Sequence, residues 1–136
     1  MGDAEWAAYR DRIAHVAKMG AEEYGLTVGI HAHAAGFMDF EPELERLLDE
    51  VEESILKICF DTGHHSYAGF DPVSFMERCI DRISYMHFKD IDPVVKADVI
   101  SKGTGFYDAC GQGIFCNLGD GDVDFPKVRQ ILIENG

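Results

Sequence analysis

Ile55-Leu-Lys-Ile-Cys-Phe-Asp61 is an apolar run of strand length that stops on a carboxylate, and Thr62-Gly-His64-His65 follows it at once. Two similar runs flank it, Leu26-Thr-Val-Gly-Ile-His31 and Ile83-Ser-Tyr-Met-His-Phe88. The three begin at residues 26, 55 and 83, a near-constant interval. Each is bounded by polar or turn residues, the signature of a buried strand. Helical spacing fills the gaps. Leu44, Leu47, Leu48 and Val51 recur on one face, as do Val73, Met76 and Ile80. Ahead of the first strand, Trp6, Tyr9, Ile13 and Val16 mark one face of a long helix.

The prolines sharpen the boundaries. Pro42, Pro72, Pro93 and Pro126 each stand where a helical pattern begins, a place where a missing N–H costs nothing. Asp71 and Asp92 immediately precede two of them and are N-cap candidates. Strands separated by helices imply a parallel sheet with right-handed crossovers, in an open doubly wound sheet or a barrel. The fold class is therefore α/β. Residues 101–123, with six glycines, read as one long loop-like insertion on the functional face.

Composition bounds the function. The 136 residues amount to about one domain. Hydrophobic residues make up 46 %, enough for a core, and no apolar stretch is long enough to span a bilayer. The acidic start Met1-Gly-Asp-Ala-Glu5 gives no signal-peptide pattern. Twelve basic residues stand against 25 acidic ones, a net charge of −13. That disfavours nucleic acid and anionic membrane as partners, and favours cations. Cys59, Cys79, Cys110 and Cys116 form no CxxC pair; they are expected to be reduced thiols of a cytoplasmic protein, with Cys59 in the core.

In parallel α/β folds, ligands bind at the carboxyl ends of the strands. Here those ends read His31-Ala-His33, Asp61-Thr-Gly-His64-His65 and His87-Phe-Lys89-Asp90, which hold five of the six histidines. A lone strand-end histidine is usually a hydrogen-bonded structural residue. Three neighbouring tips that each carry imidazole or carboxylate instead suggest a mixed N/O site for Mn²⁺, Co²⁺, Zn²⁺ or Mg²⁺. Asp120, Asp122 and Asp124 have the composition of a calcium loop but not its spacing. Gly119-Asp-Gly-Asp-Val-Asp-Phe125 reads as a tight turn into the cap of the last helix.

The ordered set Asp61-Thr-Gly-His64, Tyr67-Ala-Gly-Phe-Asp-Pro72, His87-Phe-Lys89-Asp90, Gly113-Ile-Phe115 and Leu118-Gly-Asp-Gly-Asp-Val-Asp-Phe125 resembles the xylose isomerase-like TIM-barrel superfamily of sugar phosphate isomerases and epimerases. Within it the set is most similar to the inosose dehydratase-type group. The resemblance covers the chain from about Leu26 to its end, and implies a partial (β/α)₈ barrel. Residues 1–136 would be its C-terminal half, about strands 5 to 7 with their helices, without the eighth strand and its Glu metal ligand.

By the same resemblance, Asp61 and His87 match ligands of a divalent metal, Mn²⁺ or Co²⁺ first, with Mg²⁺ or Zn²⁺ as alternatives. His64 matches a residue that contacts substrate or metal-bound solvent. Lys89 and Asp90 match the polar pair after the ligand histidine and, with His64, are the catalytic candidates. His31 and His33 match a substrate-side HxH. Asp39 falls near an early carboxylate ligand, a role for which His31 and Glu41 also stand. The implied activity is metal-dependent isomerisation, epimerisation or dehydration of a small keto-sugar or cyclitol such as an inosose. An inactive barrel fragment and an abasic-site hydrolase are the alternatives. A second copy of the chain is a candidate partner for the open sheet.

Overall fold

The computed structural model describes residues 1–38 and 40–136. A long helix, α1 (Asp3–Tyr24), leads into a short strand, β1 (Val28–Ile30), and then α2 (Glu41–Glu50). The central strand β2 (Leu56–Asp61) runs straight into a short helix, α3 (Thr62–Tyr67). Helix α4 (Pro72–Cys79) continues as a 3₁₀ turn, Ile80–Arg82, into β3 (Ile83–His87). The remaining elements are β4 (Asp90–Ile91), α5 (Pro93–Ser101), α6 (Phe106–Gly111), β5 (Phe115–Cys116) and α7 (Phe125–Asn135).

β1, β2 and β3 form a parallel sheet in that order, as the strand–helix alternation requires. The sheet stays open: no closed barrel forms among the described residues. Pairing of β2 with β3 contains one irregularity. Ile58 faces Ile83, but Cys59 faces Tyr85, so Ser84 is an extra, bulged residue. From there Phe60 pairs with Met86 and Asp61 with His87.

Alternation along β2 sets the layers. Leu56, Ile58 and Phe60 are buried against Leu44, Leu47 and Leu48 of α2, Phe75 and Met76 of α4, and Val128 and Ile131 of α7. Truncating one of these fully buried leucines to alanine costs about 2–5 kcal/mol. Lys57, Cys59 and Asp61 take the opposite face. The expectation that Cys59 lies in the core is thus corrected: it is only half-buried, because the strand period turns it to the other side.

The capping prolines and aspartates sit as read from the sequence. Asp71 accepts from the Val73 and Ser74 amides, Asp92 from those of Val94 and Val95, and Asp124 from that of Lys127. On α1 the buried stripe is Trp6, Ala17 and Gly20, whereas Val16 is exposed. The small residues carry the face because a Cβ at Gly20 would lie 2.6 Å from Val28 Cγ2. Arg82 ties the layers together. Its guanidinium donates to the carbonyls of Leu48, Val51 and Leu56 at 2.7, 3.1 and 3.2 Å. It thereby satisfies carbonyls at the end of α2 that the helix itself leaves unpaired.

Residues 101–123 are not a single loop. They contain α6 and β5, and β5 pairs antiparallel with β4. Ile91, Val99, Ala109 and Ile114 form a second small core there.

Candidate functional site

The site is built around one carboxylate. Asp61 ends β2 and caps α3, and its side chain is fully buried. Oδ1 accepts the His64 amide at 3.0 Å, which fixes the carboxylate's orientation. Oδ2 is left to face the other strand tips. His31 Nε2, from the end of β1, lies 3.4 Å from it. His87 Nδ1, the last residue of β3, lies 3.3 Å from it. The ammonium of Lys89 pairs with the same oxygen. Three residues expected at the site from the strand tips therefore meet at a single atom.

Lys89 is held from below. Thr62 Oγ1 accepts the Lys89 amide at 3.0 Å and donates to the Lys89 carbonyl at 2.7 Å. The chain passes so close that a Cβ at Gly63 would stand 3.0 Å from Phe115 Cε1 and overlap Lys89 Cβ closely. Glycine is required at Gly63 for that approach. Phe115 also lies under the Lys89 ammonium, 5.8 Å from ring centre to Nζ.

His33 and His64 form the next wall. Their rings stand 3.8 Å apart, and Phe106 lies against both. His33 Nδ1 donates to the Ala34 carbonyl at 2.7 Å, leaving Nε2 as an acceptor. His64 Nδ1 accepts the Ala34 amide at 3.3 Å, so the neutral ring carries its hydrogen on Nε2 and is a donor. These tautomers are assigned from the hydrogen-bond partners.

The electrostatics follow from burial. Burial works to raise the Asp61 pKa, but the Lys89 ammonium and the His64 amide outweigh it and hold the carboxyl below its ordinary range. Burial pushes the His64 imidazole down to about 4. It also lowers His31, against the pull of Asp61. The Cys59 thiol is raised by burial and by the Asp61 charge. A neutral His31 and His64 beside an ionised Asp61 are in the protonation states that metal ligation needs.

Among the described residues, two sets of ligand atoms lie within 4.8 Å of one another: His31, Asp61 and His64, and His31, Cys59 and His87. His87 Nδ1 is buried yet makes no hydrogen bond, although it stands beside Asp61 Oδ2. A carboxylate oxygen, neutral imidazoles and an orphaned ring nitrogen fit a divalent cation. His64 Nδ1 is engaged by Ala34, and His87 stands beside Asp61 Oδ2 while its own set is the one with His31 and Cys59.

Other expected residues lie elsewhere. Asp90, read as catalytic, is fully buried in β4, and its carboxylate accepts four backbone amides: Ile91, Gly119, Gly121 and Val123, at 2.8–3.1 Å. It anchors the glycine turn, and all its partners are backbone amides outside the Asp61 cluster. Glu41 pairs with His65 and Arg78. His65 is a core histidine among Phe40, Phe60, Phe70 and Phe75. Asp39 lies outside the described residues. Thr62, Phe106 and Cys59 were not singled out as site residues from the sequence. Thr62 lies within the Asp-Thr-Gly-His element, and Cys59 faces the site by strand period alone.

The family description "xylose isomerase-like TIM barrel" matches residues 2–136. The chain belongs to this family. An inosose dehydratase of Geobacillus kaustophilus is 34 % identical over 97 % of this chain and 42 % of its own length. The rhizopine catabolism protein MocC of Rhizobium meliloti is 33 % identical over 97 % of this chain and 40 % of its own length. The chain thus spans less than half of these curated relatives. Among solved structures, the probable 3-DHS dehydratase AsbF, involved in petrobactin synthesis in Bacillus anthracis, superposes with a TM-score of 0.79 at 24 % identity. That match covers 98 % of this chain and 48 % of the other. It extends the likeness to the three-dimensional fold over about half of the other protein's length.

Proposed function

We propose that this chain carries the site of a metal-dependent lyase or isomerase acting on a small keto-cyclitol or keto-sugar, with dehydration of an inosose as the favoured reaction. The observation that carries the reading is the buried Asp61 Oδ2, on which His31, His87 and Lys89 converge. The inosose dehydratase relatives support the substrate class. Mn²⁺ or Co²⁺ is the favoured ion, held by Asp61 with His87 and His31. Bound there, the ion supplies Lewis acidity toward a substrate carbonyl and hydroxyl.

The protein's own groups do the rest. Lys89 presents its ammonium to a substrate oxygen and gives it a proton. His64 Nε2–H donates to a substrate hydroxyl, and His33 Nε2 accepts from one. Phe106 and Phe115 wall the pocket and limit water. In dehydration, His33 Nε2 takes the proton from the carbon next to the carbonyl and the Lys89 ammonium protonates the β-hydroxyl, which departs as water and leaves the unsaturated ketone. Returning that proton to the neighbouring carbon would isomerise instead.

The test is product analysis by mass spectrometry after incubating the protein, stripped of metal and reloaded with Mn²⁺ or Co²⁺, with keto-inositols and ketoses. Loss of one water from a keto-inositol, abolished by Asp61→Ala and reduced by Lys89→Met, is the expected result. Turnover that Asp61→Ala leaves unchanged refutes the reading. Conversion of a ketose without mass change would move the assignment to isomerisation.

A further inference from the structure

Beneath the Asp61 carboxylate, the same sheet face presents a softer set of donors. Cys59 precedes Asp61 by two residues and shares its face of β2. Its Sγ lies 3.8 Å from His87 Nε2. A ligand atom of His31 completes the group, all three within 4.8 Å of one another. The His31 and His87 rings meet edge-on at 4.9 Å. A tetrahedral zinc with Zn–S about 2.3 Å and Zn–N about 2.0 Å has an S···N edge of roughly 3.6 Å. The Cys59–His87 spacing is therefore close to what such an ion demands.

The outer partner is also in place. His87 uses Nε2 toward Cys59, so its other nitrogen, Nδ1, faces Asp61 Oδ2 at 3.3 Å. Imidazole ligands commonly hand their second N–H to a carboxylate, which fixes the tautomer and makes the ligating nitrogen more basic. His87 Nδ1, buried and without a hydrogen bond, is the atom that would take this outer role. A small ring rotation on binding would align it.

We propose that Cys59, His87 and His31 form a binding site for a thiophilic divalent ion of the zinc or cadmium type, one layer below the carboxylate position at Asp61. Binding replaces the Cys59 S–H bond with a sulfur–metal bond and releases the proton to solvent. Because the two positions share His31 and His87, occupation is exclusive. A soft ion in the lower position deprives the upper one of its imidazoles. The inference extends the reading of Asp61 as an ion-binding carboxylate, and thiolate ligation separates the two experimentally.

Co²⁺ is the probe. The reduced full chain, titrated with Co²⁺, is expected to develop a near-ultraviolet thiolate-to-cobalt charge-transfer band that Zn²⁺ abolishes by displacement. Cys59→Ser should remove the band, while Cys110→Ser, at an exposed cysteine, should keep it. Zn²⁺ affinity should fall at least about tenfold in Cys59→Ser, since even outer partners act on that scale. Mn²⁺ binding, read by water-proton relaxation, should persist in Cys59→Ser and be lost in Asp61→Ala.

A second measurement needs no variant. Zn²⁺ should protect Cys59, and not Cys110, from iodoacetamide as read by peptide mass. No thiolate band in the wild type, a band that survives Cys59→Ser, or alkylation of Cys59 at an undiminished rate under saturating Zn²⁺ each overturns the site. A Cys59-dependent band without Mn²⁺ binding would instead overturn the Asp61 reading and leave this one standing.

Discussion

Asp90→Asn tests whether the buried carboxylate of β4 is structural. Its Oδ1 accepts the amides of Ile91 and Val123, and its Oδ2 those of Gly119 and Gly121. An asparagine keeps the shape but turns one oxygen into an NH₂ group. Whichever way it is oriented, that NH₂ faces two N–H donors. With the amide oxygen kept toward Ile91 and Val123, the glycine amides lose their acceptor. An unsatisfied buried donor costs about 1–3 kcal/mol. Gly119 and Gly121 are only part-buried, so water recovers some of this, and about 3 kcal/mol is the expected net loss. For a chain of this length that lowers the melting midpoint by roughly 10 °C. Urea denaturation followed by circular dichroism measures it, with Asp120→Asn as an exposed control in the same turn. If Asp90→Asn stays within about 0.5 kcal/mol of wild type, in the range of ordinary surface substitutions, the four-amide account is wrong.

The molecule should also lose stability on mild acidification. Burial keeps His64 and His65 neutral, so below about pH 6.5 the unfolded chain takes up protons that the folded chain refuses. Stability then falls with pH until His64 itself protonates at about 4. After allowance for solvent screening, His64 contributes about 1–2 kcal/mol of loss at pH 5; equal or greater stability at pH 5 than at pH 7.5 in urea titrations would contradict this. Arg82→Lys should cost about 2 kcal/mol, because one ammonium cannot serve three carbonyls spread over Leu48, Val51 and Leu56. Hydrogen exchange should then rise at the C-terminal end of α2; protection equal to wild type there would rule the clamp out.

The parts of the fold legible in the sequence were those with a period or a cap. Leu56–Asp61 and Ile83–His87 are strands close to where their apolar runs lie, and each helix-opening proline sits within the first two residues of its helix. β4 and β5 are two residues long, too short to show any alternation. The glycines of 101–123 suggested a loop, but several mark helix boundaries instead: Gly105 caps α6, Gly111 ends it and Gly113 turns the chain at φ 82°. At the site, Asp61, His31, His64, His87 and Lys89 were legible because strand tips converge in any parallel sheet. Asp90 was misplaced for a local reason. It adjoins Lys89 in sequence, yet the chain turns into β4 between them and sends the two side chains to different places. Cys59 was hidden by its own apolar neighbours.

Ser84 gives the site a dependence on register. The bulge shifts β3 by one residue, and only that shift sets His87, rather than Met86, opposite Asp61. Drawing Ser84 into the ladder, with no residue lost, would leave every donor in the sequence and carry the histidine to the greasy side of the sheet. The chemistry of this rim is therefore encoded partly in which residue of one short strand stays out of the ladder. A search by residue type alone would never register it.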